Sequence, residues 1–333
     1  MARKYYLSVD GGGTRVQALL FDENGKRLGF GAGGSVNPNF TPVETIESHM
    51  SICIDTCLDA FCEPIDTLYI SFPGPHDLFY QLLRERIPVG SMQSFSEGRM
   101  GLLSGILKPD GFIALSGTGS CVTMAYGEQR EYQGGWGSIL GDEGSAYDIG
   151  VRSLQSAIRA SDGWGEPTIL QDMIPQHFAI DELRGLVPII YRQAEYRSRI
   201  ASVARLTSAA AVAGDKVALA IYRAAADQMS AQMSALLKRW YPRGETYQQL
   251  PLTVCGGAWK GHSTMFLRFA NQVCQDPTLA GTQPLYPQYE MVTGGVTAML
   301  INEGRGDEAA DILTANYDDL RYPSPAGGLC LPK

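Results

Sequence analysis

Several features that define common classes of protein are missing from this chain of 333 residues. It has no run of about 20 apolar residues, the length that a membrane-spanning helix needs, and no run of Lys and Arg that would neutralise a phosphate backbone. Its start, MARKYYLSVDGGG, lacks the apolar stretch and the cleavage site of a signal peptide. Acidic residues outnumber basic ones by 35 to 27, which gives a net charge of -8. We therefore expect no membrane partner, no nucleic-acid partner and a cytoplasmic location.

Cysteine is sparse as well. The seven cysteines are odd in number and scattered, which does not suggest a disulfide framework. Cys53 and Cys57 belong to the only cluster and lie four residues apart in a segment whose apolar residues recur at helical spacing. We interpret them as core residues, with metal or redox chemistry as the alternative.

The composition that remains, with 44% apolar residues and 38 glycines, is that of a folded α/β protein, and the length favours two domains. Apolar runs joined by glycine turns predict a β-meander at the N-terminus, and a second strand, glycine turn and strand begin near residue 112. This echo predicts an internal duplication. Among the other predicted elements are helices at about 42–61, 98–107, 215–240 and 296–301 and strands at 67–72, 112–115, 121–126 and 252–255.

The first glycine turn runs from Asp10 to Thr14. Its three glycines let the backbone approach a ligand and point N–H groups at an anion, as a phosphate cradle requires. Asp10 at the mouth of the turn offers a carboxylate for Mg²⁺ beside a triphosphate. A second turn, from Ser116 to Ser120, repeats the arrangement, and the pair favours phosphate binding by both turns. The alternative interpretation is that they are two unrelated tight hairpins. The sequence has no GxxxxGK[ST] segment, so a P-loop is excluded.

A glycine-rich stretch, GGWGSILGDEGSAYDIG, covers residues 134–150. Trp136 offers a flat apolar face for a sugar ring, and Asp142 and Glu143 offer acceptors for its hydroxyls. On chemistry alone, a buried structural loop is an equally good interpretation.

The motifs DGGGT, LSGTGS, GGWGSILGDEGSAYDIG and CGGAWKG, in this order, resemble the N-acetylglucosamine kinase branch of the actin-like ATPase superfamily, over roughly residues 5–300. That family also contains the BadF/BadG/BcrA/BcrD-type activases. The resemblance implies a two-lobed α/β fold of the ribonuclease H-like type, with duplicated mixed-sheet domains and a central cleft. It implies lobes at residues 1–115 and 116–333, with the C-terminal helix able to pack back on the first lobe.

The resemblance also implies the roles of individual residues. Asn37 is expected to bind sugar, with loop capping as the alternative role. The phosphates and the adenosine of ATP are assigned to Gly11, Gly12, Gly13, Thr14, Gly117, Thr118, Gly119, Gly256 and Gly257. The sugar is assigned to Asn37, Ser120, Gly135, Trp136 and Asp142, and the metal to Asp10.

One position departs from the family pattern. The family's general base is an aspartate about twenty residues before SGTGS, where this chain has Glu97. A glutamate has a similar intrinsic pKa, but its extra methylene moves the carboxylate by about 1.5 Å. We expect Glu97 to be the base; the alternatives are a helix-start glutamate and a lost activity, with Asp142 as the nearest substitute.

The resemblance therefore implies a kinase that uses ATP and Mg²⁺ to phosphorylate an amino sugar, of the N-acetylglucosamine, glucosamine or N-acetylmuramic acid type, and a homodimer is compatible with it. Two alternatives stay open. One is an ATP-driven activase, whose iron-sulfur cluster needs converging thiolates. The other is a non-catalytic sugar or nucleotide sensor of the same fold.

Overall fold

The computed structural model describes residues 3–192, 196–240, 250–276 and 283–329. Within these ranges two five-stranded sheets form the framework. The first sheet has the order β3-β2-β1-β4-β5 and the second the order β10-β9-β6-β7-β8. The strands are β1 (Tyr5–Gly11), β2 (Val16–Asp22), β3 (Arg27–Gly33), β4 (Ile65–Ser71), β5 (Val89–Ser94), β6 (Gly111–Ser116), β7 (Ser120–Tyr126), β8 (Gln129–Gly134), β9 (Leu252–Cys255) and β10 (Pro284–Leu285).

The two sheets repeat one topology. In the first, β1 pairs antiparallel with β2 and β2 with β3, which confirms the predicted meander, while β4 runs parallel to β1 and β5 parallel to β4. In the second, β6 takes the central place of β1, β7 and β8 extend the sheet on one side, and β9 and β10 run parallel to β6 on the other. The same order in both sheets confirms the expected duplication.

Helices surround the sheets, and the predicted ones occur within a few residues of their expected bounds. The helices are α1 (Val43–Leu58), α2 (His76–Arg84), α3 (Glu97–Gly105), α4 (Ala146–Ser161), α5 (Leu170–Phe178), α6 (Leu186–Tyr191), α7 (Tyr196–Val212), α8 (Lys216–Trp240), α9 (Ser263–Gln275), α10 (Gly294–Asn302) and α11 (Ala309–Asn316). No helix in the described part of the chain is long and apolar enough to cross a membrane.

The chain divides into two compact units. Unit 1 contains residues 1–111, 125–129 and 287–322, and unit 2 contains 112–124, 130–286 and 323–333. The segment 287–322, which carries α10 and α11, thus belongs with the N-terminal sheet. The predicted boundary between residues 115 and 116 divides the chain into two continuous domains, whereas each unit combines several segments. The boundary stays a prediction.

In unit 1, three glycines on one face of β3 let α1 pack unusually close. A Cβ atom at Gly29 would lie 2.1 Å from the carbonyl oxygen of Cys57, and one at Gly31 would lie 2.0 Å from that of Cys53. Both distances are far inside van der Waals contact, so only glycine fits. The thiols of Cys53 and Cys57 are fully buried in the same core, which confirms their interpretation as core residues.

Candidate active site

The first glycine turn is a hairpin between β1 and β2. The strands remain paired as far as Gly11 and Val16, and the N–H of Gly12 donates to the carbonyl oxygen of Arg15 across the turn (2.9 Å). A Cβ atom at Gly11 would lie 2.9 Å from the side chain of Val36, whereas one at Gly12 would meet nothing within 4 Å. Gly11 is therefore required for packing, whereas a side chain at Gly12 would project into open space.

The loop that carries Asn37 is bound to this hairpin. The N–H of Val36 donates to the carbonyl oxygen of Gly12 (3.1 Å), and the hydroxyl of Ser35 contacts the same oxygen (3.4 Å). Asn37 is buried, and its Oδ1 atom accepts a hydrogen bond from the N–H of Asn39 (3.0 Å). Asn37 thus has the loop-capping role that we considered as its alternative, and sugar binding by its side chain stays a prediction.

Glu97 is the first residue of α3. The hydroxyl of Ser96 caps this helix by accepting from the N–H of Arg99 (3.2 Å). The N–H of Phe95 donates to the carbonyl oxygen of Ile70 (2.8 Å), which holds the start of α3 against the end of β4. Strands β1, β4 and β5 run parallel, so their C-terminal ends lie on the same side of the sheet. Asp10 and Glu97 therefore both lie on this side, where ligands bind in such sheets.

Asp10 and Glu97 form a pair of interacting carboxyl groups. Burial raises the pKa of Glu97 to about 7, against the stabilising effect that a helix N-terminus has on an anion. Burial, followed by repulsion from the Glu97 carboxylate, raises the pKa of Asp10 to about 8. Near neutral pH the pair can therefore hold a proton, as a general base that receives one must do.

Two further charged residues of unit 1 act on Asp10. The guanidinium of Arg15 lowers the Asp10 pKa and the carboxylate of Glu290 raises it, and these two groups lie 3.7 Å apart as an ion pair. Arg15 follows the predicted phosphate turn directly, but Glu290 lies 280 positions from Asp10 along the chain, so sequence reasoning did not identify it.

In unit 2, the second glycine turn connects β6 and β7, and the N–H of Gly117 donates to the carbonyl oxygen of Gly119 (2.9 Å). Gly256 lies against this turn: its φ is +100°, and a Cβ atom there would lie 2.4 Å from the carbonyl oxygen of Ser116. Gly257 is exposed, with open space where its Cβ would be. The structure therefore brings the glycines predicted for adenosine next to the turn predicted for phosphate.

Asp142 is the most constrained of the predicted sugar residues. It is buried and has a left-handed φ of +62°, which is uncommon for a residue other than glycine. One of its carboxylate oxygens accepts from the N–H of Ser120 (3.1 Å), and the other accepts from the guanidinium of Arg197 (2.5 Å). The N–H of Gly135 donates to the carbonyl oxygen of Ser120 (3.1 Å), so Ser120, Gly135 and Asp142 form one group.

Arg197 is a residue that sequence reasoning missed. It lies on α7 and is itself buried, so that it and Asp142 form a buried ion pair. No motif marks an arginine in the first turn of a helix, and its pairing with Asp142 across 55 positions is visible only in three dimensions. A buried pair of this kind fixes the orientation of the carboxylate.

Trp136 projects from the same loop, and 73% of its surface is exposed, together with the apolar side chains of Ile139 and Leu140. Three exposed apolar side chains within five residues are unusual in a structural loop. Among the described residues, no group of three or more His, Cys, Asp or Glu side chains has the arrangement of a metal site.

Comparison with known proteins places these motifs in a family. The model of the BadF/BadG/BcrA/BcrD ATPase family matches residues 7–298. A curated relative, the N-acetylmuramic acid/N-acetylglucosamine kinase of Clostridium acetobutylicum, is 28% identical over 247 residues, 71% of this chain and 80% of that protein. The glucosamine kinase of Vibrio cholerae is 26% identical over 191 residues, 53% of this chain and 62% of that protein.

A crystal structure from Chromobacterium violaceum, provisionally assigned as an N-acetylglucosamine kinase, superimposes with a TM-score of 0.64. The match covers 89% of this chain and 99% of that one at 21% identity, which shows a common fold. The predicted α/β fold with duplicated mixed sheets is thus confirmed.

Proposed function

Because the chain belongs to the BadF/BadG/BcrA/BcrD ATPase family, we propose that it transfers a phosphoryl group from ATP to a hydroxyl of an amino sugar. The curated relatives that act on N-acetylglucosamine, N-acetylmuramic acid and glucosamine support this substrate class. The observation that carries the proposal is the pair of half-buried carboxyl groups, Asp10 and Glu97, at the C-terminal ends of the parallel strands and beside a glycine hairpin.

Glu97 is the proposed general base. Its carboxylate accepts the proton of the sugar hydroxyl as that oxygen attacks the γ-phosphorus, and a pKa of about 7 suits this step at neutral pH. The glycine turns at residues 11–14 and 117–119 are proposed to bind the phosphates of ATP through backbone N–H groups other than those of Gly12 and Gly117, which donate within their own turns. Most of the acceleration in phosphoryl transfer comes from such positioning and charge stabilisation.

Asp10 fits a role in holding Mg²⁺. Mg²⁺ is usually bound by one or two carboxylates together with waters and substrate phosphates. A bound Mg²⁺ would neutralise charge on the transferring phosphoryl group. Burial and then repulsion from Glu97 raise the pKa of Asp10, and a divalent cation bound there would favour its ionised form.

The proposed sugar residues of unit 2 offer both kinds of contact that a sugar needs. The exposed ring of Trp136 presents a flat apolar face, and Asp142, whose carboxylate is buried and bonded to Ser120 and Arg197, is proposed to accept from sugar hydroxyls with its remaining lone pairs. Asn37 is proposed to contribute from the loop bound to the first hairpin.

The test is a coupled assay of ADP release with a panel of hexosamines: N-acetylglucosamine, glucosamine, N-acetylmuramic acid and N-acetylmannosamine, with glucose as the control. We expect turnover that depends on an amino sugar and on Mg²⁺. Calorimetry on the same protein with ATP and with each sugar complements the assay. Binding of ATP and sugar without turnover would contradict the kinase proposal and favour a sensor.

A further inference from the structure

Ser71 is a fully buried polar residue for which the fold provides no partner. It is the last residue of β4, its exposed surface is 0%, and its hydroxyl oxygen forms no hydrogen bond with any described residue. Buried hydroxyl groups are nearly always hydrogen-bonded, because burial without a partner is unfavourable. A hydroxyl in this situation can bond to an acceptor that comes within reach in another state of the protein, so its neighbours decide whether it has a role.

The strand register places this hydroxyl beside Asp10. Ser71 on β4 is the direct partner of Asp10 on the neighbouring parallel strand β1, and residues opposite one another in a sheet project from the same face. The preceding pair on that face, Ser8 and Tyr69, contacts Gly295 at the start of α10, so this is the face covered by helices.

On its other side, Ser71 adjoins the segment that carries Glu97. The ring of Tyr69, two residues before Ser71 and on the same face, stacks on the ring of Phe95 at 6.1 Å between centroids. The backbone of Phe95 is bonded to Ile70, the residue that precedes Ser71. Since β4 lies between β1, which contains Asp10, and β5, which precedes α3 and Glu97, Ser71 lies on the strand between the two segments that carry the carboxyl groups.

We propose that Ser71 is a positioning residue for the reaction, and that its hydroxyl donates a hydrogen bond to the Glu97 carboxylate when substrates are bound. The inference rests on the proposed function. A glutamate has one more rotatable bond than an aspartate, so its carboxylate needs an additional contact to stay on the line of proton transfer. A hydroxyl donor with no partner in the fold meets that need, since an O–H group rotates freely toward an acceptor.

The test uses Ser71→Ala in the full-length protein. We expect kcat to fall by about 10- to 100-fold, because a poorly placed base loses rate on that scale. The dissociation constants for ATP and sugar, measured by calorimetry, should change less than twofold. The melting temperature should rise by about 2 °C, since the substitution removes a buried hydroxyl without a partner.

A double-mutant cycle separates positioning from a general structural effect. In a Glu97→Asp background, whose carboxylate is withdrawn from Ser71, the further substitution Ser71→Ala should change kcat by less than twofold. An equal loss in both backgrounds would show that Ser71 does not act through Glu97, and would overturn the proposal.

Thr297 provides a matched control. Its hydroxyl on α10 is also fully buried and lacks a hydrogen-bond partner among the described residues. Thr297→Val should raise the melting temperature in the same way and leave kcat unchanged. If Ser71→Ala behaved like Thr297→Val, with full kcat, the inference would be wrong and the kinase proposal would stand. If the wild-type protein phosphorylated none of the sugars, the kinase proposal would fail first.

Discussion

Replacing Glu97 by Gln and following the rate across pH is the most direct examination of the carboxylate pair. The pKa of about 7 means that only part of Glu97 is ionised at neutral pH. For a base with this pKa, the ionised fraction falls roughly 16-fold between pH 7 and pH 5.5, whereas for an ordinary glutamate it falls only about 1.1-fold. The acid limb of the pH profile therefore distinguishes a buried base from an exposed carboxylate.

The assay measures kcat/KM for MgATP, at saturating sugar, from pH 5 to pH 9, because this constant reports groups of the enzyme before MgATP binds. We expect a slope of up to two below pH 7 for the wild-type protein, because both Glu97 and the proposed metal ligand Asp10, whose pKa is about 8, must be ionised. Glu97→Gln should lower the rate by about 10²- to 10⁴-fold, as expected for loss of a general base, and reduce that slope to one. The profile of kcat at saturating MgATP should have its limb at lower pH, since the charge of Mg²⁺ favours ionised carboxyl groups nearby.

Glu290→Gln is the control for this experiment. It removes a carboxylate that raises the pKa of Asp10 but is not among the groups that shift Glu97, so the limb near pH 7 should remain. The reasoning would be refuted by a flat profile between pH 5.5 and pH 7 in the wild-type protein. It would also be refuted if Glu97→Gln retained more than a tenth of the wild-type rate.

Three other predictions concern stability. Because the pKa of Glu97 is raised in the folded state, the stability that its carboxyl group contributes is fully present below about pH 4.5 and is lost as pH rises through about 7. Denaturant titrations should therefore show that Glu97→Gln is more stable than the wild-type protein at pH 8 but not at pH 4. Arg197→Met should destabilise the protein by about 3–5 kcal/mol because it leaves the buried Asp142 carboxylate unpaired. Arg152→Met, which removes a more exposed pair within one helix, should cost only about 0.5 kcal/mol in the same titration. Gly31→Ala should cost about 3 kcal/mol or more, measured by thermal unfolding, because its Cβ overlaps a carbonyl oxygen of α1; a smaller loss would mean that the helix can move away.

Glycine made much of the candidate site predictable from the sequence. The turns at Gly11–Gly13 and Gly117–Gly119 occur between strands as expected, because glycines between two apolar runs are a local signal for a turn. The same holds for Gly256, whose positive φ and close approach to Ser116 no other residue would tolerate. Local rules of this kind operate within a few residues and need no knowledge of the fold.

The missed features depend on contacts between distant parts of the chain. Arg197 and Glu290 are ordinary charged residues in their own segments, and they reach Asp142 and Asp10 only through the fold. The segment 287–322 joins the N-terminal sheet although it follows the whole second unit along the chain. No local sequence pattern indicates that the segment 287–322 packs on the N-terminal sheet. The sequence analysis could therefore expect a C-terminal helix on the first lobe but could not identify its contacts.

Strand β5 explains why the surroundings of Glu97 were the hardest part to predict. It is an edge strand with the sequence VGSMQS, and most of its side chains are exposed, so it lacks the apolar pattern of a core strand. Yet its pairing with β4 determines where α3 begins, and therefore where Glu97 lies relative to Ser71 and Asp10. An edge strand is held mainly by its backbone hydrogen bonds to one neighbour, which do not depend on side-chain type. The sequence of β5 can therefore vary widely while a carboxylate still lies at the C-terminal ends of the parallel strands. The position of that carboxylate depends on the residue at position 97 and on the hydroxyl group of Ser71.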